Sequence, residues 1–100
     1  MNPKEFSEAI SQKDVYLVDV RPASAYDEGH IKGAHNLDVE DPDFDKKAEA
    51  TLPKEDTIAV YCKTGMHSAL AKQRLDALGY KVINLDNGLN SWIEAGLPTT

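Results

Sequence analysis

Three short apolar runs constrain this chain more than any other feature. They are VYLVDV at 15–20, TIAVY at 57–61 and YKVINL at 80–85. Each is rich in β-branched residues and bounded by polar or turn-forming residues, as a strand buried on both faces requires. Stretches with helical spacing separate them. In SALAKQRLDALG, residues 68–79, Leu70, Ala71, Arg74, Leu75 and Leu78 recur at helical intervals, and Gly79 stands where a glycine cap belongs. Residues 3–12 open with Pro3 and place Phe6 and Ile10 four apart on one face of a short helix.

The remaining segments are briefer. ASAYDE at 23–28 makes one or two helical turns stopped by Gly29. Residues 33–37 hold a turn and a short strand. Asp41-Pro42-Asp43 leads into a modest helix, FDKKAEATL, and NGLNSWIEAG at 87–96 closes as another helix. The acidic run from Asp38 to Asp45 reads as a solvated loop, and Trp92 and Tyr80 as core or sheet-covering residues. Strands that alternate with helices through short connections predict an α/β fold, a parallel sheet with helices on both faces. Ligands of such sheets bind outside the carboxyl ends of the strands.

Length and composition narrow the function classes. One hundred residues, 41% apolar and 28% charged, suit one soluble globular domain over residues 1–100. A net charge of −6 with no Lys/Arg cluster argues against a nucleic-acid partner. No run approaches the roughly 20 apolar residues of a membrane span. The opening MNPKEFSEAI lacks a signal-peptide core. One cysteine can form neither an internal disulfide nor a multi-cysteine zinc site. These features fit a reducing cytoplasm.

That cysteine, Cys62, directly follows TIAVY, in the stretch YCKTGMHS. A helix begins a few residues later, so the intervening N–H groups lack helical partners and add to the partial positive charge of a helix N-terminus. Lys63 and His67 contribute further positive charge. These influences favour thiolate over thiol and make an anion site beside it. The competing reading is a buried, unreactive cysteine. The polar loop that follows Cys62 weighs against it.

YCKTGMHSA, together with LVDVRP at 17–22, EGHIKGAHN at 28–36, LGY at 78–80 and LDNGLNSWIEAGLP at 85–98, resembles a single-domain rhodanese, a sulfurtransferase. The likeness spans nearly the whole chain in the right order. It implies a three-layer sandwich around a parallel sheet of about five strands, and it makes Cys62 the carrier of a persulfide. Lys63, Thr64, Gly65, Met66, His67 and Ser68 would surround that persulfide with N–H and hydroxyl donors. The implied reaction moves a sulfane sulfur from thiosulfate or another persulfide donor to cyanide or a thiol, by covalent ping-pong catalysis without a cofactor. The implied partners are a small sulfur-containing donor and a thiol acceptor such as thioredoxin, or a cysteine desulfurase that supplies the sulfur.

Two departures stand out. The family often has arginine just after the cysteine and again five positions on, where this chain has Lys63 and His67. Lysine lacks the two-pronged guanidinium, and an imidazole is charged only in part near neutral pH. Thiosulfate is a dianion, so a neutral or monoanionic persulfide donor competes with it as the expected substrate. The final helix starts Asn87-Gly88 where two glycines are common, a turn variant.

Phosphatases and arsenate reductases that share this fold need an arginine six positions after the cysteine. Ser68 occupies that place, so the bidentate phosphate ligand is missing. A non-catalytic rhodanese-like binding or sulfur-carrier module is the other alternative. Asp19 and Arg21 share one side of a strand end and read as a buried ion pair tying loops together, with Arg21 near the anion as the functional reading. His30 and His35 have no third metal ligand at useful spacing. The likeness to the family's EGH segment gives His30 a structural role, anchoring the Gly29–Gly33 turn.

Overall fold

A computed structural model describes residues 1–100. Its strands are β1 (Val15–Asp19), β2 (His35–Asn36), β3 (Thr57–Tyr61) and β4 (Lys81–Asn84), and its helices α1 (Pro3–Ile10), α2 (Ala23–Glu28), α3 (Phe44–Thr51), α4 (Met66–Ala77) and α5 (Gly88–Glu94). The sheet has four strands in the order β2-β1-β3-β4, all parallel. The expected count of about five is thus one too high. The three strong apolar runs and the short 33–37 segment account for every strand.

Register follows from alternation. Val15 to Asp19 pair with Thr57 to Tyr61, and Thr57 to Val60 pair with Lys81 to Asn84. Successive side chains of a strand point to opposite faces. Val18, Val20, Ile58, Val60 and Cys62 therefore meet α3 and α4 in one buried cluster with Phe44, Ala71 and Leu75. Leu17, Ala59 and Tyr61 face the other way and join Phe6, Leu85, Leu89 and Trp92 beneath α1 and α5. Two cores on one sheet explain why the strand runs show no polar face.

The helix ends are locally coded. Asn2 and Glu5 form a reciprocal capping box around Pro3 at the start of α1. Helix α4 begins at Met66, two residues before the expected start, and ends at Ala77, capped by Leu78 and followed by Gly79 at φ +92°. Tyr80 is buried and donates its hydroxyl to the Ala48 and Leu52 carbonyls, tying β4's approach to α3.

The acidic segment is more than a solvated loop. Val39 and Phe44 are buried in the core, Asp45 pairs with Arg74 of α4, and Glu40 reaches His67. Its apolar residues anchor it, and Asp45 and Glu40 reach basic side chains on α4. No helix is long and apolar enough to cross a membrane.

Candidate active site

The parallel strands bring their carboxyl ends to one edge, where β1 delivers Asp19 and Arg21 and β3 delivers Tyr61 and Cys62. Between β3 and α4 the chain makes a tight loop around the sulfur. Cys62 Sγ accepts the Gly65 N–H at 3.0 Å and the Ser68 N–H at 3.3 Å, and lies 3.5 Å from Ser68 Oγ. The first N–H groups of a helix need an acceptor outside the helix. Gly65, the residue before α4, offers no side-chain cap. The cysteine sulfur fills that role from the end of the preceding strand.

Electrostatics follow from this arrangement. Cys62 is 2% exposed. Burial alone would push its thiol up. The Ser68 hydroxyl and the N–H groups of Ser68, Gly65 and Thr64 outweigh burial and hold the thiol below its ordinary value. Hydrogen bonds to the charged form stabilise the thiolate, the nucleophilic state.

Two glycines make the loop possible. Gly65 sits at φ +102°, and a Cβ there would collide with the Asp86 carbonyl oxygen. Gly88 sits at φ +66°, and a Cβ would stand 2.5 Å from the Lys63 carbonyl. The close approach lets Leu89 and Asn90 donate their N–H groups to the carbonyls of Cys62 and Lys63 at 2.8 and 3.1 Å. The start of α5 therefore bolts the loop from behind. Asn87 lies at φ −108°, so of the Asn87-Gly88 pair only the second position demands glycine.

The expected loop residues separate into two groups. Gly65 and Ser68 contact the sulfur directly, and Thr64 contributes its N–H. Lys63 and His67 turn outward and line a cleft of about 550 Å³. Met66 is 78% exposed, and its side chain projects to solvent as the first residue of α4. It is not among the donors around the sulfur.

Asp19 and Arg21 form a buried pair at 2.7 Å. Arg21 also donates to the Gly29 carbonyl at 2.6 Å. Burial opposes its charge, and hydrogen bonding to Asp19 overcomes this, so its pKa is raised. Beside the pair, Tyr61 donates nothing to the sulfur. Its hydroxyl accepts the Ile31 N–H, and burial with the nearby Asp19 charge keeps its phenol neutral. Arg21 borders the cleft while its charge is matched by Asp19. His30 stacks on Tyr26, and its Nδ1 lies 2.9 Å from the Tyr26 carbonyl. The His30 carbonyl accepts the Thr100 N–H. His35 stacks on Tyr16 on the edge strand.

Two site features escaped the sequence reading. Glu40 comes within 3.7 Å of His67, and Glu28 joins it on the cleft wall. Neither lies near Cys62 along the chain. Gly88 had a visible signal, a lone glycine at a helix start, but its contact with the loop depends on tertiary packing.

Comparison with known proteins points to one family. A family model described as the rhodanese-like domain matches residues 2–95. The chain is 36% identical over 85 residues to thiosulfate sulfurtransferase GlpE of Shewanella oneidensis, covering 83% of this chain and 80% of that one. It is 35% identical over 74 residues to thiosulfate sulfurtransferase PspE of Escherichia coli, covering 74% and 70%. The rhodanese-like domain of an Anabaena protein superposes with a TM-score of 0.88 at 28% identity, over 100% of this chain and 76% of that one. The chain spans only part of other curated relatives: 63% of one from Schizosaccharomyces pombe, 53% of one from Synechocystis and 37% of an HTH-type transcriptional regulator from Mycobacterium tuberculosis.

Proposed function

Because this chain belongs to the family of rhodanese-like domains, we propose that it is a sulfurtransferase whose Cys62 carries the transferred sulfur. The observation that carries this reading is the sulfur's place as acceptor of the Gly65 and Ser68 N–H groups at the start of α4. An inert buried cysteine has no need of such donors. A nucleophile that must be anionic, both free and as a persulfide, does.

The reaction has two steps. The Cys62 thiolate attacks the outer sulfur of a donor such as thiosulfate. A Cys62–S bond forms, the donor's S–S bond breaks, and its electron pair leaves on sulfite. The product is Cys62–S–S⁻. Then cyanide or a thiolate acceptor attacks the outer sulfur, and the electron pair of the breaking S–S bond returns to Cys62. The loop needs no external oxidant or reductant, since sulfur is exchanged between nucleophiles. Preorganised donors of this type typically contribute a few kcal/mol.

A phosphatase reading requires a guanidinium where Ser68 stands, and Ser68 is buried with its hydroxyl and N–H against Cys62. A regulatory role is the second reading. It rests on the likeness to part of the Mycobacterium tuberculosis regulator.

Mass spectrometry of the intact protein separates these readings. Incubation with thiosulfate is expected to add one sulfur atom, which cyanide removes as thiocyanate. Cys62→Ser is expected to abolish both steps while circular dichroism stays unchanged. Sulfur transfer that survives Cys62→Ser would overturn the persulfide mechanism.

A further inference from the structure

Of the two cavities in the molecule, one borders the Cys62 loop. Its volume, about 550 Å³, is in the range of organic ligand sites, and a small inorganic dianion would fill only a fraction of it. Its charge is mixed. Arg21 lines it, but the buried Asp19 at 2.7 Å matches that charge. What remains is Lys63 and His67 on the loop side, with Glu40 and Glu28 also lining the cleft. Glu40 lies 3.7 Å from His67 Nε2, within one side chain of the loop. A wall that sets two carboxylates among Lys63 and His67 fits a ligand bearing both charges better than a dianion.

We propose that this cleft selects a persulfide donor bearing both an ammonium and a carboxylate group, an α-amino-acid type of persulfide, with Glu40 receiving the ammonium and Lys63 the carboxylate. Glu28 adds to the negative wall. The proposal rests on the sulfurtransferase reading and names the donor class of that site. The chemistry balances. In R–S–S⁻ the outer sulfur is attacked by the Cys62 thiolate, the S–S bond that joins it to R–S breaks, and Cys62–S–S⁻ forms. The electron pair leaves on R–S⁻, which takes a proton from water. Glu40 takes no part in bond making and acts as a specificity-determining residue.

The test compares loading of Cys62, followed by intact mass, from cysteine persulfide, from 3-mercaptopropionate persulfide and from thiosulfate. The second donor keeps the thiol and carboxylate of the first and lacks its ammonium. Their intrinsic reactivities differ, and this difference cancels when a variant is compared with wild type. Glu40→Gln is expected to lower the ratio of the first two kcat/KM values by about three- to fivefold, the size of a partly exposed ion pair. It is also expected to raise thiosulfate loading. Glu55→Gln, an exposed carboxylate in the loop before β3, is expected to change neither. An unchanged ratio in Glu40→Gln would overturn this proposal alone. Absence of loading from all three donors would overturn the sulfurtransferase reading and this proposal with it.

Discussion

The inner loop and the outer cleft wall lie side by side but are built from different materials. Around Cys62 the contacts come mainly from the backbone, with the Ser68 hydroxyl the one side chain beside the sulfur: N–H groups of Gly65 and Ser68 in front, and N–H groups of Leu89 and Asn90 holding the loop carbonyls behind. Every one of these groups is fixed by a helix start or by a glycine in a conformation other residues resist. Along the cleft the contacts come from exposed side chains, Lys63, His67, Glu28 and Glu40. Backbone donors cannot be changed without moving the chain, whereas exposed side chains can be exchanged at little cost. Under the proposed sulfurtransferase reading, the division would hold the sulfur chemistry constant and leave donor recognition adjustable.

The sharpest way to break the comparison is to disturb the backbone side. Gly65→Ala combines a φ of +102° with a collision against Asp86. It is expected to reduce sulfur transfer by about 100-fold and stability by about 2 kcal/mol, read from kcat and a thermal melt. Gly33 is the control. Its φ is +87°, but nothing lies within 4 Å of a built Cβ. Gly33→Ala should cost about 1 kcal/mol and leave kcat near wild type.

Ser68→Ala removes the hydroxyl that lies 3.5 Å from Cys62 Sγ and keeps the backbone. The thiol should shift upward, because a hydrogen bond to the charged form is lost. Alkylation by iodoacetamide at pH 7 should slow by about tenfold. An unchanged rate would mean that the backbone donors alone hold the thiolate. The smallest effect is expected on the cleft side. His67→Arg adds a permanent charge and should improve thiosulfate kcat/KM by about threefold, with no change in the pH dependence of alkylation.

The sequence made the inner loop legible and left the cleft obscure. Cys62 after TIAVY, ahead of a helical repeat, encodes strand, loop and helix N-terminus within a dozen residues, and local coding of that kind can be read directly. The strands were equally plain because burial on both faces leaves continuous apolar runs. The sheet's fourth member, His35–Asn36, is only two residues long, so it set no reliable strand count. Glu40 was hidden for another reason. It lies 27 positions before His67, inside an acidic run whose visible property was charge. Only the burial of Val39 and Phe44, which dock that segment on α4, turns Glu40 toward the loop. The Met66 side chain fell outside the expected ring of donors because helix α4 starts at that residue and directs it to solvent.

The most direct test of the inner loop is the pH dependence of Cys62 alkylation. Cys62 is the only cysteine, so the modified site is unambiguous. Its donors stabilise the anion, so the folded protein loses the proton at lower pH than the unfolded chain does. The midpoint of the rate profile should therefore lie below that of the same cysteine in the chain unfolded in urea. A folded-state midpoint at or above the unfolded one would mean that burial prevails over the Ser68, Gly65 and Thr64 groups, and would contradict a preformed sulfur nucleophile at this site.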